Sequence, residues 1–382
     1  KSSPIRYHAY STRRRWEISL AIFDETELSA VVPCYNEEDC IAELYARLTK
    51  ACKASVGDNY EIVLVNDGSN DRTWPMTVDL SKKDRHVVGL NLSRNHGHQL
   101  ALTAGLAISN GRRIFIIDGD LQDPPELLAP MIERLDAGVD VVFGQRRRRK
   151  GETAFKRFTA AIFYRILNYM TEFPIPRDSG DFRLITRRAL DALLAMPEQF
   201  RFVRGMVSWI GYRQEALAYD RVSRFAGSTN YSFGKMLQLA IDAITGFSIR
   251  PLRLASHLGI ALSVLSLPLI GYVLISWGTG RTIEGWTSVM AVVVLIGGVQ
   301  LLVLGLIGEY LGRTYMQTKS RPLFVIQDIV GQVDMLQIER VNKIGFYQSV
   351  SRMDHPAGVS APTEENSHIA ATDGDIEAAK NE

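Results

Sequence analysis

Acidic and amide side chains crowd together directly after one apolar run of the chain. The run 113–117 is followed by Asp118, Asp120, Gln122 and Asp123. In an extended strand end, residues two apart point the same way, so Asp118, Asp120 and Gln122 would present three oxygens on one side. Carboxylates this close repel one another unless a cation lies among them, and such oxygen donors suit Mg²⁺ or Mn²⁺. Because magnesium commonly binds substrate phosphates as well, the pattern predicts a metal site that meets a diphosphate.

A simpler interpretation of the same stretch is an acidic turn that caps a helix. Asp123 precedes two prolines and suits the N-cap position of a helix that begins near Pro124. This interpretation leaves Asp118, Asp120 and Gln122 unexplained. Since a single D-x-D pattern occurs widely by chance, the metal prediction depends on the elements that would position it.

Short apolar runs alternate with helix-length segments through the first part of the chain. This alternation predicts an α/β domain with a mostly parallel sheet and helices on both faces. Ligands of such sheets bind at the carboxyl ends of the strands, and a polar cluster follows each of the first four runs. The predicted strands are 28–33, 61–66, 87–92, 113–118 and 139–144, and the predicted helices are 37–53, 73–83, 98–110 and 124–136.

Two long uncharged segments lie in the last third of the chain. Residues 258–277 and 289–307 contain no charged side chain. At about 1.5 Å per residue each is long enough to cross the roughly 30 Å hydrocarbon layer of a membrane, and buried core helices are the alternative. Basic residues flank the pair on its outer sides, so the positive-inside rule places both ends in the cytosol. The amphipathic segment 232–249 before them is expected to lie on the inner leaflet.

These features divide the chain into six predicted parts. A basic N-terminal arm is followed by the catalytic domain, a juxtamembrane segment, a two-span hairpin, a cytosolic C-terminal segment and a disordered acidic tail. Their bounds are 1–27, 28–231, 232–256, 257–312, 313–353 and 354–382.

Composition excludes several classes of protein. The formal net charge is +2, which does not indicate binding of nucleic acid, and the three cysteines have neither metal-site spacing nor the number of a disulfide framework. No G-x-G-x-x-G follows the first predicted strand, so a dehydrogenase of doubly wound type is disfavoured.

Four motifs together resemble those of a known family. The stretches VVPCYNEE, VNDGSNDRT, LSRNHGH and IIDGDLQDPPE stand in the order and spacing of the family 2 glycosyltransferases, which have the GT-A fold. With the two apolar segments, the chain is similar to polyprenyl-phosphate glycosyltransferases such as the bactoprenol glucosyltransferases and dolichol-phosphate mannose synthases. The resemblance covers about residues 28–322, and Asn66 stands where the family frequently has Asp.

The resemblance implies roles for residues on the donor side. Pro33, Tyr35 and Glu37 would line the pocket of the nucleotide base, and Asp67 would bind the base through its carboxylate. Arg94 would neutralise phosphate or hold its own loop. Asp118, Asp120 and Gln122 would hold the metal against the diphosphate. Taken alone, Asp67 would read as an ordinary turn residue.

The resemblance also implies roles on the acceptor side. Asp181 corresponds to an acidic residue near the acceptor that is often regarded as the base. A phosphate monoester is largely ionised above pH ~6, so Asp181 would otherwise orient Arg183. A turn or helix-start aspartate is the alternative.

Further arginines are candidates for contact with the acceptor's phosphate. Arg204, Arg221, Arg224 and Ser228 are assigned to it, with solvated side chains or a juxtamembrane basic patch as alternatives. Arg201 is open between phosphate contact and solvent. No catalytic role is assigned to His96 or His98.

The implied activity is transfer of a hexose from a nucleotide sugar to a polyprenyl phosphate with inversion at the anomeric carbon. UDP-glucose is the first candidate donor, followed by UDP-amino sugars and GDP-mannose, and undecaprenyl phosphate is the first candidate acceptor. The enzyme would lie in the plasma membrane with its catalytic domain in the cytosol. A processive polysaccharide synthase would need more membrane spans and is disfavoured. A non-catalytic sugar-nucleotide-binding scaffold is the remaining alternative. Whether the protein forms a homo-oligomer stays open.

Overall fold

The structure, a computed structural model, describes residues 26–147, 179–220, 245–246, 248–279 and 285–348. Several predictions fall elsewhere. The N-terminal arm up to residue 25, most of the segment 232–249 and the acidic tail lie outside the described residues, as do Arg221, Arg224 and Ser228.

The described part of the catalytic domain is built on one sheet of eight strands. The strand order is β7-β5-β6-β4-β1-β2-β3-β8. The strands are β1 Leu28–Cys34, β2 Tyr60–Asn66, β3 Val87–Leu92, β4 Arg113–Ile116, β5 Val141–Arg146, β6 Ser179–Thr186, β7 Gln214–Tyr219 and β8 Ile326–Val330.

The centre of the sheet is parallel and its edges are mixed. β1 pairs in parallel with both β2 and β4, and β2 pairs in parallel with β3. β6 runs antiparallel between β4 and β5, and β8 runs antiparallel to β3. The prediction of a mostly parallel α/β sheet is confirmed, and the carboxyl ends of β1, β2, β3 and β4 meet at one edge.

Helices cover both faces of this sheet. The helices of the domain are α1 Ile41–Val56, α2 Thr73–Lys83, α3 His98–Ile108, α4 Leu128–Asp136, α5 Arg187–Leu194, α6 Val203–Ile210 and α9 Met335–Ile344. Two long helices, α7 Arg250–Gly278 and α8 Trp286–Thr318, do not belong to this cover. Alternate residues of β1 pack into different cores: Val31 lies with Leu102 of α3, whereas Val32 lies with Leu44 of α1. The strands are therefore buried on both sides, which explains their continuous apolar sequences.

One glycine lets α3 approach the sheet closely. A Cβ built on Gly105 would lie 2.5 Å from Val31 Cγ1 and 2.8 Å from Val65 Cγ2, closer than such atoms pack. Since α3 begins at His98, this contact fixes the height of the first turn of α3 above the ends of β1 and β2.

The acidic segment after β4 differs from its prediction. β4 ends at Ile116, and the residues that follow form turns, with Leu121 at a positive φ of 57°. The segment is not an extended strand, so the expected alternation of Asp118, Asp120 and Gln122 along a strand is wrong.

Asp123 does not cap a helix, which corrects a second prediction. A short 3₁₀ helix, Pro125–Leu127, precedes α4, and no side chain caps its start. Asp123 is completely buried and instead accepts a hydrogen bond from the Tyr219 hydroxyl, with Arg146 Nη2 at 3.7 Å.

The two apolar helices are not core helices. The stretches Arg250–Tyr272 in α7 and Val292–Thr318 in α8 have mean hydropathies of 1.8 and 2.2. None of the residues in the most apolar window of either stretch is buried against the rest of the protein. The alternative of a buried helix pair is therefore wrong, and both helices are long and apolar enough to cross a membrane.

The chain returns to the sheet after α8. Gln317 near the end of α8 donates to the Pro197 carbonyl at 2.6 Å and accepts from the Gln199 amide at 2.9 Å. β8 then extends the sheet beside β3, and Gln337 of α9 donates to the Ile108 carbonyl of α3 at 2.7 Å. Sequence analysis did not predict this strand, which lies beyond the expected boundary at residue 231.

Candidate active site

The loops after β1, β2 and β4 are bound to one another at the edge of the sheet. The Glu37 amide donates to Thr73 Oγ1 at 2.9 Å, which ties the β1 loop to the start of α2. A Cβ built on Gly119 would lie 3.4 Å from the Pro33 carbonyl oxygen and 3.5 Å from Glu37 Cγ. The acidic turn therefore packs against the residues predicted to line the nucleotide pocket, and Tyr35 is exposed beside them.

Asp67 holds the loop after β3. Its two carboxylate oxygens accept from the backbone amides of His96 at 2.7 Å and Gly97 at 3.0 Å. Burial raises the pKa of Asp67 more than these bonds lower it. Asp67 is therefore more than a turn residue, while its contact with a nucleotide base stays a prediction.

A glycine explains the close approach of these two loops. Gly68 has a φ of 66°, and a Cβ there would lie 2.5 Å from the backbone carbonyl carbon of Arg94. The exposed Arg94 side chain donates to the Asn95 carbonyl at 3.0 Å, so it holds its own loop, and its contact with phosphate stays a prediction.

The centre of the site is an imidazole between two carboxylates. His98 Nε2 at the start of α3 lies 3.2 Å from Asp181 Oδ2 and 3.6 Å from Asp118 Oδ1. Asp181 comes from the antiparallel strand β6, where it is buried, so the turn or helix-start alternative for Asp181 is wrong. The pairing of β4 with β6 brings Asp118 and Asp181 close together, although they are 63 residues apart in sequence.

Asp181 also faces two arginines. Arg183 Nη2 lies 3.6 Å and Arg204 Nε 4.0 Å from Asp181 Oδ1, an oxygen that is buried and makes no hydrogen bond. Gln99 Nε2 donates to the other oxygen at 2.8 Å. Arg183 and Arg204, both predicted on the acceptor side, thus lie next to Asp181.

The two carboxylates have opposite pKa shifts. Burial raises the pKa of Asp118 to about 6; His98 opposes the rise, and Asp181, Asp123 and Asp120 add to it. Burial also raises the pKa of Asp181, but the hydrogen bond from His98 and the charges of Arg204 and Arg183 outweigh it, so its pKa lies far below the ordinary value.

Burial and neighbouring charges also shift the pKa values of the basic groups in the cluster. Burial lowers the pKa of His98, but the bond to Asp181 and the charges of Asp118 and Asp181 raise it to about 9. Burial lowers the pKa of Arg183 to about 10. His98 therefore acts as the positive counter-charge of both carboxylates.

The acidic turn fits a divalent cation that shares its ligands with a substrate. Asp118 Oδ1 is buried and accepts no hydrogen bond. Burial and the nearby acidic groups raise the pKa of Asp118 more than the charge of His98 lowers it, so this carboxylate would be stabilised by a further positive charge. Gln122 and Asp120 remain partly exposed beside it. Among the described residues no three His, Cys, Asp or Glu side chains form a complete metal site, so diphosphate and water would supply the other ligands.

Some predictions about the basic residues need correction. Arg201 is buried, and its guanidinium donates to the Met196 carbonyl just after α5 at 2.6 Å. Both alternatives for Arg201, contact with phosphate and a solvated side chain, are therefore wrong. His98 and Gln99 were not assigned to the site, although the polar stretch SRNHGH at a strand end was the available signal.

Comparison with known proteins places the chain in a family. Residues 29–194 match the model described as Glycosyl transferase family 2, and residues 250–314 match the GtrB C-terminal hairpin. The uncharacterized glycosyltransferase YkcC of Bacillus subtilis is 47% identical over 306 residues, which cover 80% of this chain and 94% of YkcC. The chain belongs to glycosyl transferase family 2. Its α/β domain is therefore GT-A-like, and the hairpin match over α7 and much of α8 indicates membrane association.

Two further similarities differ in what they support. The bactoprenol glucosyl transferase of Shigella phage SfX is 36% identical over 302 residues, covering 79% of this chain and 99% of that protein. The solved structure of the mannosyltransferase PcManGT from Pyrobaculum calidifontis, in complex with GDP-Man and Mn²⁺, is 16% identical. It covers 76% of this chain and 86% of that one with a TM-score of 0.42, which is too low to support a conclusion about this family 2 glycosyltransferase.

Proposed function

We propose that this family 2 glycosyltransferase is membrane-anchored and moves a hexose from a nucleotide sugar to a polyprenyl phosphate on the cytosolic face of the plasma membrane. UDP-glucose is the first candidate donor and undecaprenyl phosphate the first candidate acceptor. Support comes from the relative named bactoprenol glucosyl transferase, which matches this chain through the apolar hairpin.

The observation that carries the proposal is the charge arrangement at the strand ends. Asp118 and Asp181 each have a buried oxygen that makes no hydrogen bond, and both carboxylates face Nε2 of His98. Asp118 stands in an acidic environment that favours a cation, whereas Asp181 stands beside Arg183 and Arg204, which favour an anion. We assign the first side to the donor's diphosphate with its cation and the second to the acceptor's phosphate.

The proposed reaction is a single displacement. An oxygen of the lipid phosphate attacks the anomeric carbon, and the bond from that carbon to the nucleoside diphosphate breaks, with its electron pair leaving on the diphosphate. One displacement inverts the configuration of the carbon. Because a phosphate monoester loses its second proton near pH ~6, the nucleophile is already ionised at neutral pH. We therefore assign Asp181 to orienting Arg183 and Arg204 rather than to removing a proton.

The acidic turn has the matching role on the donor side. Asp118, Asp120 and Gln122 would hold Mg²⁺ or Mn²⁺, and such an ion neutralises the charge that grows on the departing diphosphate. Pro33, Tyr35, Glu37 and Asp67 would hold the nucleotide base beside it, and Arg94 would reach a phosphate. In this proposal Arg221, Arg224 and Ser228 complete the acceptor's phosphate site.

The membrane helices fit an acceptor that stays in the bilayer. Each methylene drawn from lipid into water costs about 0.8 kcal/mol, so the sugar nucleotide must come to the lipid. Gln317, at the end of α8, is hydrogen-bonded to the loop that precedes α6, and α6 carries Arg204. The acceptor side of the cluster is therefore connected directly to the end of a membrane helix.

Transfer assays with a panel of donors test the proposal. Purified protein in detergent is incubated with undecaprenyl phosphate, Mg²⁺ or Mn²⁺, and UDP-glucose, UDP-N-acetylglucosamine or GDP-mannose, and lipid-linked sugar is detected by mass spectrometry. Transfer from UDP-glucose is expected, and preferred transfer from GDP-mannose or a UDP-amino sugar would correct the donor. Failure to glycosylate the lipid with every donor would overturn the proposal in favour of a different acceptor or a sugar-nucleotide-binding scaffold.

A further inference from the structure

The first turn of α3 carries an amide that bridges two parts of the site. Gln99 Nε2 donates to Asp181 Oδ2 at 2.8 Å, and Gln99 Oε1 accepts from the Val203 backbone amide at 2.8 Å. Turning the amide over would set its oxygen against the carboxylate and its NH₂ against the Val203 N–H. Only one orientation of Gln99 therefore satisfies both partners.

This amide joins three elements that are distant in sequence. Gln99 lies on α3, Asp181 on β6, and Val203 is the first residue of α6. The first amides of a helix have no partner within it, so the bond from Gln99 satisfies a group that α6 leaves open. The next residue of α6 is Arg204, whose Nε lies 4.0 Å from Asp181 Oδ1. Gln99 thus holds both Asp181 and the turn that carries Arg204.

The two oxygens of Asp181 have different surroundings as a result. Oδ2 accepts from Gln99 and lies 3.2 Å from His98 Nε2, so it is held by α3. Oδ1 makes no hydrogen bond and faces Arg183 Nη2 at 3.6 Å and Arg204 Nε at 4.0 Å. Rotating the carboxylate would break the bond to Gln99 and change the position of both guanidinium groups.

We propose that Gln99 is a positioning residue of the acceptor site, fixing the Asp181 carboxylate and the start of α6 so that Arg183 and Arg204 present one geometry to the acceptor's phosphate. The inference rests on the proposed function, since it takes a polyprenyl phosphate as the acceptor. The hydrogen bonds of the Gln99 amide go to Asp181 and Val203, whereas the predicted donor residue Asp67 is bonded to the backbone of His96 and Gly97. Loss of its amide should therefore affect use of the acceptor and leave nucleotide binding unchanged.

Two substitutions separate positioning of Asp181 from support of α6. Gln99→Met removes both hydrogen bonds at similar volume. Gln99→Glu keeps an acceptor for the Val203 amide but sets a carboxylate against Asp181. We expect both variants to lower kcat/KM for undecaprenyl phosphate by about ten- to a hundredfold, because a displaced positioning group costs this much. If Gln99 only supported the start of α6, Gln99→Glu would keep that hydrogen bond and its kcat/KM would stay close to that of wild type.

Binding measurements provide the second readout. The affinity for the nucleoside diphosphate of the donor that wild type uses, measured by calorimetry, should stay within about twofold in both variants. Gln214→Met is the matched control, since Gln214 Nε2 donates to the carbonyl of Val207 on α6 at 2.8 Å. This substitution removes a glutamine bond to α6 but not the bond to Asp181. It should keep wild-type kcat and acceptor KM.

Hydrogen exchange tests the bridge independently of turnover. In peptides that begin near Val203, amide exchange should be faster in Gln99→Met than in wild type and unchanged in Gln99→Glu. Equal exchange in all three proteins, or wild-type acceptor kinetics in Gln99→Met, would overturn the inference. Absence of transfer by wild type would instead count against the proposed function, and the exchange result would then decide the bridge alone.

Discussion

Asp118 and Asp181 show how position sets the role of a side chain. Both lie beside His98, yet burial and acidic neighbours raise the pKa of Asp118 to about 6, whereas His98, Arg204 and Arg183 bring that of Asp181 far below its ordinary value. Carboxylates whose environments separate their pKa values in this way usually have different tasks. Asp118 is suited to a cation and Asp181 to holding cationic side chains in place.

Removing one carboxylate from the acidic turn should disable the donor side of the site. We expect Asp120→Asn to lower kcat by about a hundredfold or more, because the amide removes a negative charge that would hold the cation. Transfer assays give the rate, and Mn²⁺ binding in the presence of UDP, followed by electron paramagnetic resonance, gives the loss of metal affinity. Asp79→Asn is the control, since Asp79 is 65% exposed on α2. Wild-type Mn²⁺ affinity in Asp120→Asn would refute the metal assignment.

Individual side chains were predictable from sequence where they stand in a recognisable motif, but their partners were not. The acidic turn, Asp67 and Asp181 were found because each stands in a recognisable motif. Asp123 was assigned to a helix cap because its sequence suits one, but Tyr219, 96 residues away, provides its hydrogen bond. The role of His98 escaped for the same reason, since it depends on the pairing of β6 with β4.

Helix α3 is the element that connects the two sides of the site. The loop before it is held by Asp67, and its first two residues contact Asp118 and Asp181. Gly105 lets the same helix pack tightly on the sheet. The position of α3 therefore relates the loop held by Asp67 to the carboxylates of Asp118 and Asp181.

Sequence periodicity located these elements well in the parallel part of the sheet. The predicted bounds of β3 and α2 agree with the structure, because continuous apolar runs and helical spacing are local signals. The antiparallel strand β8 was missed. Its sequence is short, only its first residue is buried, and its place in the sheet depends on a return from the membrane helices that local patterns do not record.

A charged pair between two elements should make stability depend on pH. Asp140, directly before β5, accepts two hydrogen bonds from Arg188 of α5, and these bonds lower its pKa. A lowered pKa contributes stability above the ordinary value near ~4 that is lost as the pH falls. We expect Asp140→Asn to have a slightly lower free energy of unfolding at pH 7, and the loss should be small because the Arg188 side chain is 66% exposed and the pair is screened by solvent.

The dependence of stability on pH below about 5 distinguishes this explanation from a simple loss of packing. The difference in free energy of unfolding between wild type and Asp140→Asn should shrink as the pH falls below about 5, because Asp140 of the unfolded wild-type chain binds its proton before Asp140 of the folded chain does. Thermal unfolding in detergent across this range measures it. Asp58→Asn, at a side chain 72% exposed, should follow wild type throughout. A difference that stays constant with pH would contradict the charge explanation.

The catalytic domain and the membrane hairpin are interleaved along the chain. The chain leaves the sheet before α7 and, after α8, adds β8 and α9 to the edge of that same sheet. The hairpin therefore lies between strands of the same sheet in the chain order, and its end after α8 is bonded to the catalytic part.

Removing the part after the hairpin should destabilise the catalytic domain. A chain that stops after Lys319 loses the buried side chains of Leu323, Phe324, Ile326 and Val341 and uncovers the edge of β3. At about 1.5–3 kcal/mol each, these approach the whole stability of a domain, about 5–15 kcal/mol. We expect aggregation or a clearly lower melting temperature in detergent. A chain that stops after Tyr347 should melt like wild type, and equal melting of both truncations would show that β8 contributes little.

The orientation of the hairpin in the membrane is open to a direct test. The three native cysteines are buried, and burial raises their thiol pKa values, to about 11 for Cys40 and about 12 for Cys52, so they should not react with a maleimide. Lys319→Cys and Thr279→Cys then place one exposed thiol at either end of the membrane region.

Basic residues on the outer flanks of the two helices favour the cytosol, so Lys319→Cys should react with a membrane-impermeant maleimide in inside-out vesicles. Thr279→Cys, at the end of α7, should react only in right-side-out vesicles. The unsubstituted chain is the control and should stay unlabelled in both. Reaction of both positions from one side would mean that α7 does not cross the bilayer, and reversed labelling would place the catalytic domain outside, where it would have no access to cytosolic sugar nucleotides.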